Sequence, residues 1–283
     1  MREQFTTPEP PELIVELGRG SLRVDAVEGS TETLVEITGQ DAESTSVQQH
    51  GRTVSVRVPR EHGWRSFLRD LQVSLTVPAG SDLDAVLGTA SLDTRGPLRR
   101  VTGKSGAGEV HLDRVESCSL LSGSGDVRVE EATGAVSVKT GSGDVVVRHA
   151  GGESSLVTGY GDIDLRTTLG PVQARTASGD VEVGTARHDV SVTTASGDVD
   201  VRVMTVGTLR ATTAAGDITV GVPSGTPVWT DLSTVSGDVE PRLEQLGSPG
   251  EGQPYVAAHL RTVSGDIRIR HVPAEQPAQD PVG

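Results

Sequence analysis

The sequence predicts an all-β protein, a parallel β-solenoid of about nine coils of roughly 18 residues closed by an N-terminal β cap. Three observations lead there. A glycine-aspartate pair recurs along most of the chain, the residues after it alternate apolar and polar, and the composition suits strands and turns. Only 2% of the 283 residues are aromatic and 35 are glycine. β-branched side chains fit a pleated surface, and glycine punctuates it.

The pair stands at Gly125-Asp126, Gly143-Asp144, Gly161-Asp162, Gly179-Asp180, Gly197-Asp198, Gly216-Asp217, Gly237-Asp238 and Gly265-Asp266. Successive glycines lie 18, 18, 18, 18, 19, 21 and 28 residues apart, and a degenerate copy, "SGAGEVHL", precedes the first. Three residues before each glycine is a hydroxyl: Ser105, Ser122, Thr140, Thr158, Thr176, Thr194, Thr213, Thr234 and Thr262. A fixed period of this length is the mark of stacked supersecondary units.

After the aspartate, pairs such as Val127/Val129, Val181/Val183 and Ile267/Ile269 enclose Arg128, Glu182 and Arg268. That period of two describes a strand with one buried face. A second strand precedes each threonine, as in Val136/Val138 and Val190/Val192, and Cys118 and Leu120 share its inward columns. One such unit buries about four apolar side chains, worth about 1.5 to 3 kcal/mol each. Ordering its backbone costs about 1 to 2 kcal/mol per residue. It must therefore stack, each strand pairing with its equivalent one coil on, to give a rod of roughly 43 Å at about 4.8 Å per coil.

Four regions are expected in order: a flexible leader over 1–11, a β-strand cap over 12–85, the repeat domain over 86–271 and a disordered tail over 272–283. The cap is read from "PELIVEL", "SLRVDAV", "TLVEITG", "RTVSVRVP" and "LQVSLTVP", which alternate like strands but lack the repeat. A stack needs covered ends, because an open edge invites aggregation. The long interval before Gly265 holds "EPRLEQLGSPGEGQP", expected as a surface loop on the penultimate coil.

Serial "SGDVxV" motifs following a "VSLTVPAG" strand resemble the bacterial Toastrack family of adhesin-like β-strand-repeat proteins, a domain of unknown function. The resemblance covers roughly residues 12 to 270. It implies a β-solenoid, membrane-tethered or encoded with envelope-stress components, and it brings no catalytic residues to carry over.

The column Asp126, Asp144, Asp162, Asp180, Asp198, Asp217, Asp238 and Asp266 has two readings. It could bind calcium as glycine- and aspartate-rich nonapeptide repeats do, but each coil offers one such carboxylate and no paired glycines. Turn chemistry alone explains Ser-Gly-Asp, with glycine at angles barred to other residues and aspartate bonding nearby backbone N–H groups. The threonines share parity with inward Val138, Leu156, Ala174 and Val192, so an internal hydrogen-bonded ladder is expected rather than an outward ice-binding array.

No enzyme, metal or cofactor is expected. The seven histidines fall at no shared repeat position, no serine sits in G-x-S-x-G, and Cys118 reads as a core residue. A net charge of −14, from 39 acidic against 25 basic residues, repels nucleic acid. No apolar run is long enough for a membrane helix and no export signal is evident, so a cytoplasmic location is expected, with envelope association through a partner. The candidate partner contact is "PREHGWRSFLRD", which groups Trp64 and Phe67 with Arg60, Arg65 and Arg69. The competing assignment makes both aromatics plugs for the open end of the core.

The leading functional expectation is a non-enzymatic scaffold that binds a protein partner in a stress response. Self-assembly, as in bactofilin-like solenoids, and glycan-binding or adhesin-like roles are the alternatives.

Overall fold

The computed structural model describes residues 1–39, 42–58, 70–243, 250 and 252–273. The first strands are β1 (Arg2–Thr6), β2 (Glu12–Leu17), β3 (Gly20–Val27), β4 (Glu32–Gly39), β5 (Ser46–His50), β6 (Thr53–Arg57), β7 (Leu71–Pro78), β8 (Asp82–Leu87) and β9 (Ser91–Arg95). The repeats contribute β10 (Pro97–Ser105), β11 (Val110–Ser122), β12 (Val127–Ala132), β13 (Val136–Thr140), β14 (Val145–Ala150), β15 (Ser154–Thr158) and β16 (Ile163–Thr168). They continue with β17 (Val172–Arg175), β18 (Val181–Ala186), β19 (Val190–Thr193), β20 (Val199–Met204), β21 (Gly207–Thr212) and β22 (Ile218–Pro223). Last come β23 (Val228–Ser233), β24 (Val239–Arg242), β25 (Val256–Arg261) and β26 (Ile267–Val272).

The fold is the expected parallel β-solenoid. On the face before each turn, strands stack in the spatial order β6, β2, β8, β10, β11, β13, β15, β17, β19, β21, β25, β23. On the face after it the order is β7, β3, β9, β11, β12, β14, β16, β18, β20, β22, β26, β24. β10 and β11 run round the corner between neighbouring turns, and β11 serves both faces. Equivalent residues stand directly over one another, as in Val138, Leu156, Ala174, Val192, Ala211 and Leu260. Their side chains form one buried column. Aliphatic side chains from alanine to leucine make this possible, because two close faces leave no room for aromatic rings.

Three expectations are corrected. Residues 2–6, expected within a flexible leader, form β1, antiparallel to β4, and the Met1 amino group donates to the Ile37 carbonyl at 2.8 Å. The alternation of "REQFT" is short, but β4 presents an unpaired edge that it satisfies. Residues 12–85 are only partly a cap: β2 with β3, and β6 with β7, add strands to the two faces of the stack. The covering pieces are β1, β4 and β5, which run antiparallel to β4, β7 and β6 respectively. The stack thus has twelve coils among the described residues, each one a pair in the two orders above, or roughly 53 Å at about 4.8 Å per step.

The third correction concerns coil order. β25 and β26, last in sequence, lie between β21/β22 and β23/β24. At the other end β2 and β3 lie between β6/β7 and β8/β9. The chain leaving β24 therefore returns over one coil to β25, where a sequential stack was expected; residues 244–249 and 251 of the expected surface loop lie outside the described residues. The physical consequence is that the β25/β26 coil is paired on both sides, whereas on the outside it would be paired on one. The expected tail begins inside β26, at Val272, and residues 274–283 lie outside the described residues.

Candidate interaction surfaces

The turn column was the most conspicuous sequence feature, and the structure gives it a structural task. Each aspartate Oδ1 except that of Asp238 accepts the backbone N–H of the aspartate in the next coil. The bonds run from Asp144 to Asp126 (3.0 Å), Asp162 to Asp144 (2.9 Å), Asp180 to Asp162 (2.8 Å), Asp198 to Asp180 (2.8 Å) and Asp217 to Asp198 (2.8 Å). The ladder then passes to Asp266 (2.8 Å) and only afterwards to Asp238 (2.9 Å). The expected bond within one turn is corrected to a bond between coils. It offsets a stacking repulsion of about 0.9 kcal/mol per neighbouring pair even at the dielectric of water.

From Thr158 on, the hydroxyl column is the expected internal ladder, whereas the Ser105 and Ser122 hydroxyls donate to the Gly108 and Gly125 carbonyls of their own turns and Thr140 accepts the Gly143 N–H. Thr158, Thr176, Thr194, Thr213, Thr262 and Thr234 donate to the carbonyls of Gly143, Gly161, Gly179, Gly197, Gly216 and Gly265, at 3.0 to 3.3 Å. Glycine is required between these ladders. At Gly197, with φ +151°, a Cβ would stand 2.0 Å from the Gly179 carbonyl oxygen.

An earlier glycine column was not read from the sequence. A Cβ on Gly88 would meet the Gly18 carbonyl, one on Gly106 that of Gly88, and one on Gly123 that of Gly106. The signal was present as "LGRGSL" and "LGTASL", turns of matching length without the aspartate.

The outward columns differ from coil to coil. On the face after the turn, Arg128, Val146, Asp164, Glu182, Asp200, Thr219, Arg268 and Glu240 stand in register. Beside them an arginine series emerges at Arg148, Arg166, Arg202 and Arg270, all exposed. Arg148 pairs with Glu130 at 2.8 Å, Arg166 with Asp164 at 3.7 Å, and Arg202 with Glu182.

Asp200 is held above the usual carboxylate range by burial and then by the Glu182 charge, with Arg202 and Arg270 opposing. Asp217 is held below it by the Asp266 N–H and then by Arg268, which reaches Asp217 at 2.9 Å and Asp266 at 2.5 Å.

Cys118 lies in the core with its thiol pushed up to about 12 by burial, so it carries no thiolate at neutral pH. His111 bridges Asp93 (2.9 Å) and Glu130 (3.5 Å), and His259 packs on Trp229 with ring centroids 4.9 Å apart. Among the described residues no three His, Cys, Asp or Glu side chains converge to hold a metal ion. No helix there is long and apolar enough to cross a membrane. Arg60, Trp64, Arg65, Phe67 and Arg69 lie outside the described residues.

The sequence profile of the Toastrack DUF4097 family matches residues 20–205 and 172–270. The chain belongs to the Toastrack DUF4097 family. Among solved structures, this Toastrack chain is similar to a candidate adhesin of Parabacteroides merdae, at 14% identity over 95% of each chain with a TM-score of 0.42. A candidate lipid-binding protein of Parabacteroides distasonis aligns at 10% identity over 95% of this chain and 96% of that one, TM-score 0.44. A candidate adhesin of Bacteroides fragilis aligns at 13% over 95% and 96%, TM-score 0.35. None of the curated proteins matches it.

Proposed function

We propose that this Toastrack chain is a non-enzymatic scaffold, a stiff rod whose outward columns bind a protein partner, in a stress response as the family resemblance implies. The observation that carries the reading is the contrast between columns. Inward positions and turns repeat almost unchanged because the stack demands it, whereas Asp164, Glu182, Asp200, Thr219 and the neighbouring arginines form a non-repeating charge pattern on a regular grid. Such a grid fixes the register of a partner through charge complementarity.

Head-to-tail polymerisation is less well supported, since β1, β4 and β5 run antiparallel over the N-terminal end and cannot continue a parallel stack. The segment around Trp64 and Phe67 is the second proposed contact.

The test is affinity capture from cells of the source organism. Three baits are compared: wild type, Arg148→Glu with Arg166→Glu and Arg202→Glu, and Trp64→Ala with Phe67→Ala. Circular dichroism confirms the fold of each. A protein retained by wild type and lost with the arginine variant supports the grid. Loss only with the aromatic variant moves the contact to that segment, and identical retention by all three removes the reading.

A further inference from the structure

The two ends of the stack are built differently. Antiparallel strands cover the N-terminal end, but among the described residues β23 has only β25 beside it and β24 only β26. Inward positions that are sealed one coil deeper are open here. Val239 is 40% exposed where Ile267 is fully buried, and Val228 and Leu232 are half-buried beside buried Val256 and Leu260. Trp229, Val235, Tyr255 and Val263 add exposed apolar surface at the same end.

The hydrogen-bonding groups at this end are specific. In the inner coils whose turns run from Gly143 to Gly265, each turn offers three groups to its neighbour. Gly216 accepts the Thr262 hydroxyl, Asp217 Oδ1 accepts the Asp266 N–H, and the Ile218 N–H donates to the Asp266 carbonyl. The equivalents on the outermost coil are the Gly237 carbonyl, Asp238 Oδ1 and the Val239 N–H. None has a partner among the described residues.

One edge is blunted. The Ile267 N–H points outward to the Asp238 carbonyl, so by the two-residue alternation the Ile269 N–H points outward too. Pro241 stands over Ile269 and carries no N–H there, which stops a ladder along β24. β23 has no such block, and its Thr230 N–H faces outward by the same alternation.

We propose that the C-terminal end is a docking edge for one strand-and-turn segment of a partner protein. The segment has apolar residues at alternate positions along β23, then a Thr-x-Ser-Gly-Asp turn, then a basic residue two positions after the aspartate. The basic residue follows from charge. Arg268 reaches back to Asp217 of the preceding coil, and the same position in an added coil faces the unpaired Asp238. A second copy docking through this end alone is disfavoured by area. One coil covers roughly 17 by 20 Å, about 350 Å², well under the ~800 Å² per partner of a stable complex. An extended segment that adds main-chain bonds to an edge needs less. Arg148, Arg166 and Arg202, the arginines changed in the scaffold test, lie on coils inward of this end, so its test stands apart from that of the proposed scaffold.

The probe is a fluorescent synthetic peptide with the sequence of residues 256–272, VAAHLRTVSGDIRIRHV, titrated into the full chain by anisotropy beside a scrambled control. The expected result is micromolar binding of the probe alone, weakened at least tenfold by Thr230→Pro. Asp238→Ala, which removes no bond of the fold, weakens it several-fold. Melting curves verify both variants. No binding up to 1 mM overturns the proposal, as does equal binding to Thr230→Pro, which means exchange with the resident coil. A concentration-dependent dimer in light scattering that excludes the peptide also overturns it, with a second copy as the occupant.

Discussion

Asp266→Ala and Asp238→Ala are the same substitution in the same motif, and the coil order gives them opposite consequences. Asp266 Oδ1 accepts the Asp238 N–H at 2.9 Å, and its other oxygen holds Arg268 at 2.5 Å. The Asp238 carboxylate accepts nothing among the described residues. A hydrogen bond to a charged acceptor contributes about 1.5 to 3 kcal/mol when buried, and partial exposure brings that to about 1 to 2 kcal/mol here. A long stack does not melt as one unit, so a global midpoint would dilute the effect. Hydrogen exchange read over residues 236–240 is the suitable assay. Asp266→Ala should speed exchange there roughly 5- to 30-fold, and Asp238→Ala should leave residues 264–268 unchanged. A sequential stack makes the opposite prediction, with Asp238 interior and Asp266 terminal, and that pattern would refute the interleaving.

Gly197→Ala places a methyl 2.0 Å from the Gly179 carbonyl oxygen and should cost about 3 kcal/mol or more in chemical denaturation. Gly18→Ala, with nothing within 4 Å, should be near neutral; equal effects would remove the stacking argument. Ser154 stands between Val136 and Val172 with its hydroxyl buried and without a partner among the described residues. Ser154→Ala should therefore stabilise by about 1 kcal/mol in urea titration, and a loss of stability would mean the hydroxyl is satisfied. Asp200 has a folded pKa above its unfolded value, so the native state binds the extra proton and stability falls as pH rises through that range. Asp200→Asn should raise stability at pH 7 and not at pH 3. Asp217 works in the opposite sense: its pKa is lowered, so the stability it adds is present above the unfolded carboxylate range and is lost as pH falls.

The repeat made the inner coils legible because their constraint is local. A Cβ at the turn glycine meets the carbonyl of the coil beneath, and each inward valine must cover the one below it, so the requirement recurs in every coil. The threonine ladder was legible for the same reason, from parity with Val138 and Val192. The aspartate bond was placed within its own turn because a single unit does not show its neighbour, and the partner N–H lies one coil away.

Coil order was not legible at all. β25 carries the same motif as β21, and nothing in "HLRTVSGDIRI" says whether it stacks before or after "LSTVSGDVEP". That choice depends on how many neighbours each coil keeps, which no single motif encodes. In hindsight Pro241 is the one local sign, since a proline over Ile269 fits an outermost strand and not a central one. The first coils were missed because their turns keep the glycine at Gly18 and Gly88 but lack the aspartate. The arginine series, four residues after the aspartate, went unread because only the outward position two residues after it was followed.

Cross-linking at the C-terminal end tests the interleaved stack most directly. Arg210 stands in register with His259, and His259 with Asp231, so cysteines at 210 and 259 are one strand apart while those at 210 and 231 are two apart. In a Cys118→Ala background, Arg210→Cys with His259→Cys should form an intramolecular disulfide under mild oxidation. Arg210→Cys with Asp231→Cys should not. Closure of the second pair with failure of the first would show a sequential stack and contradict the account.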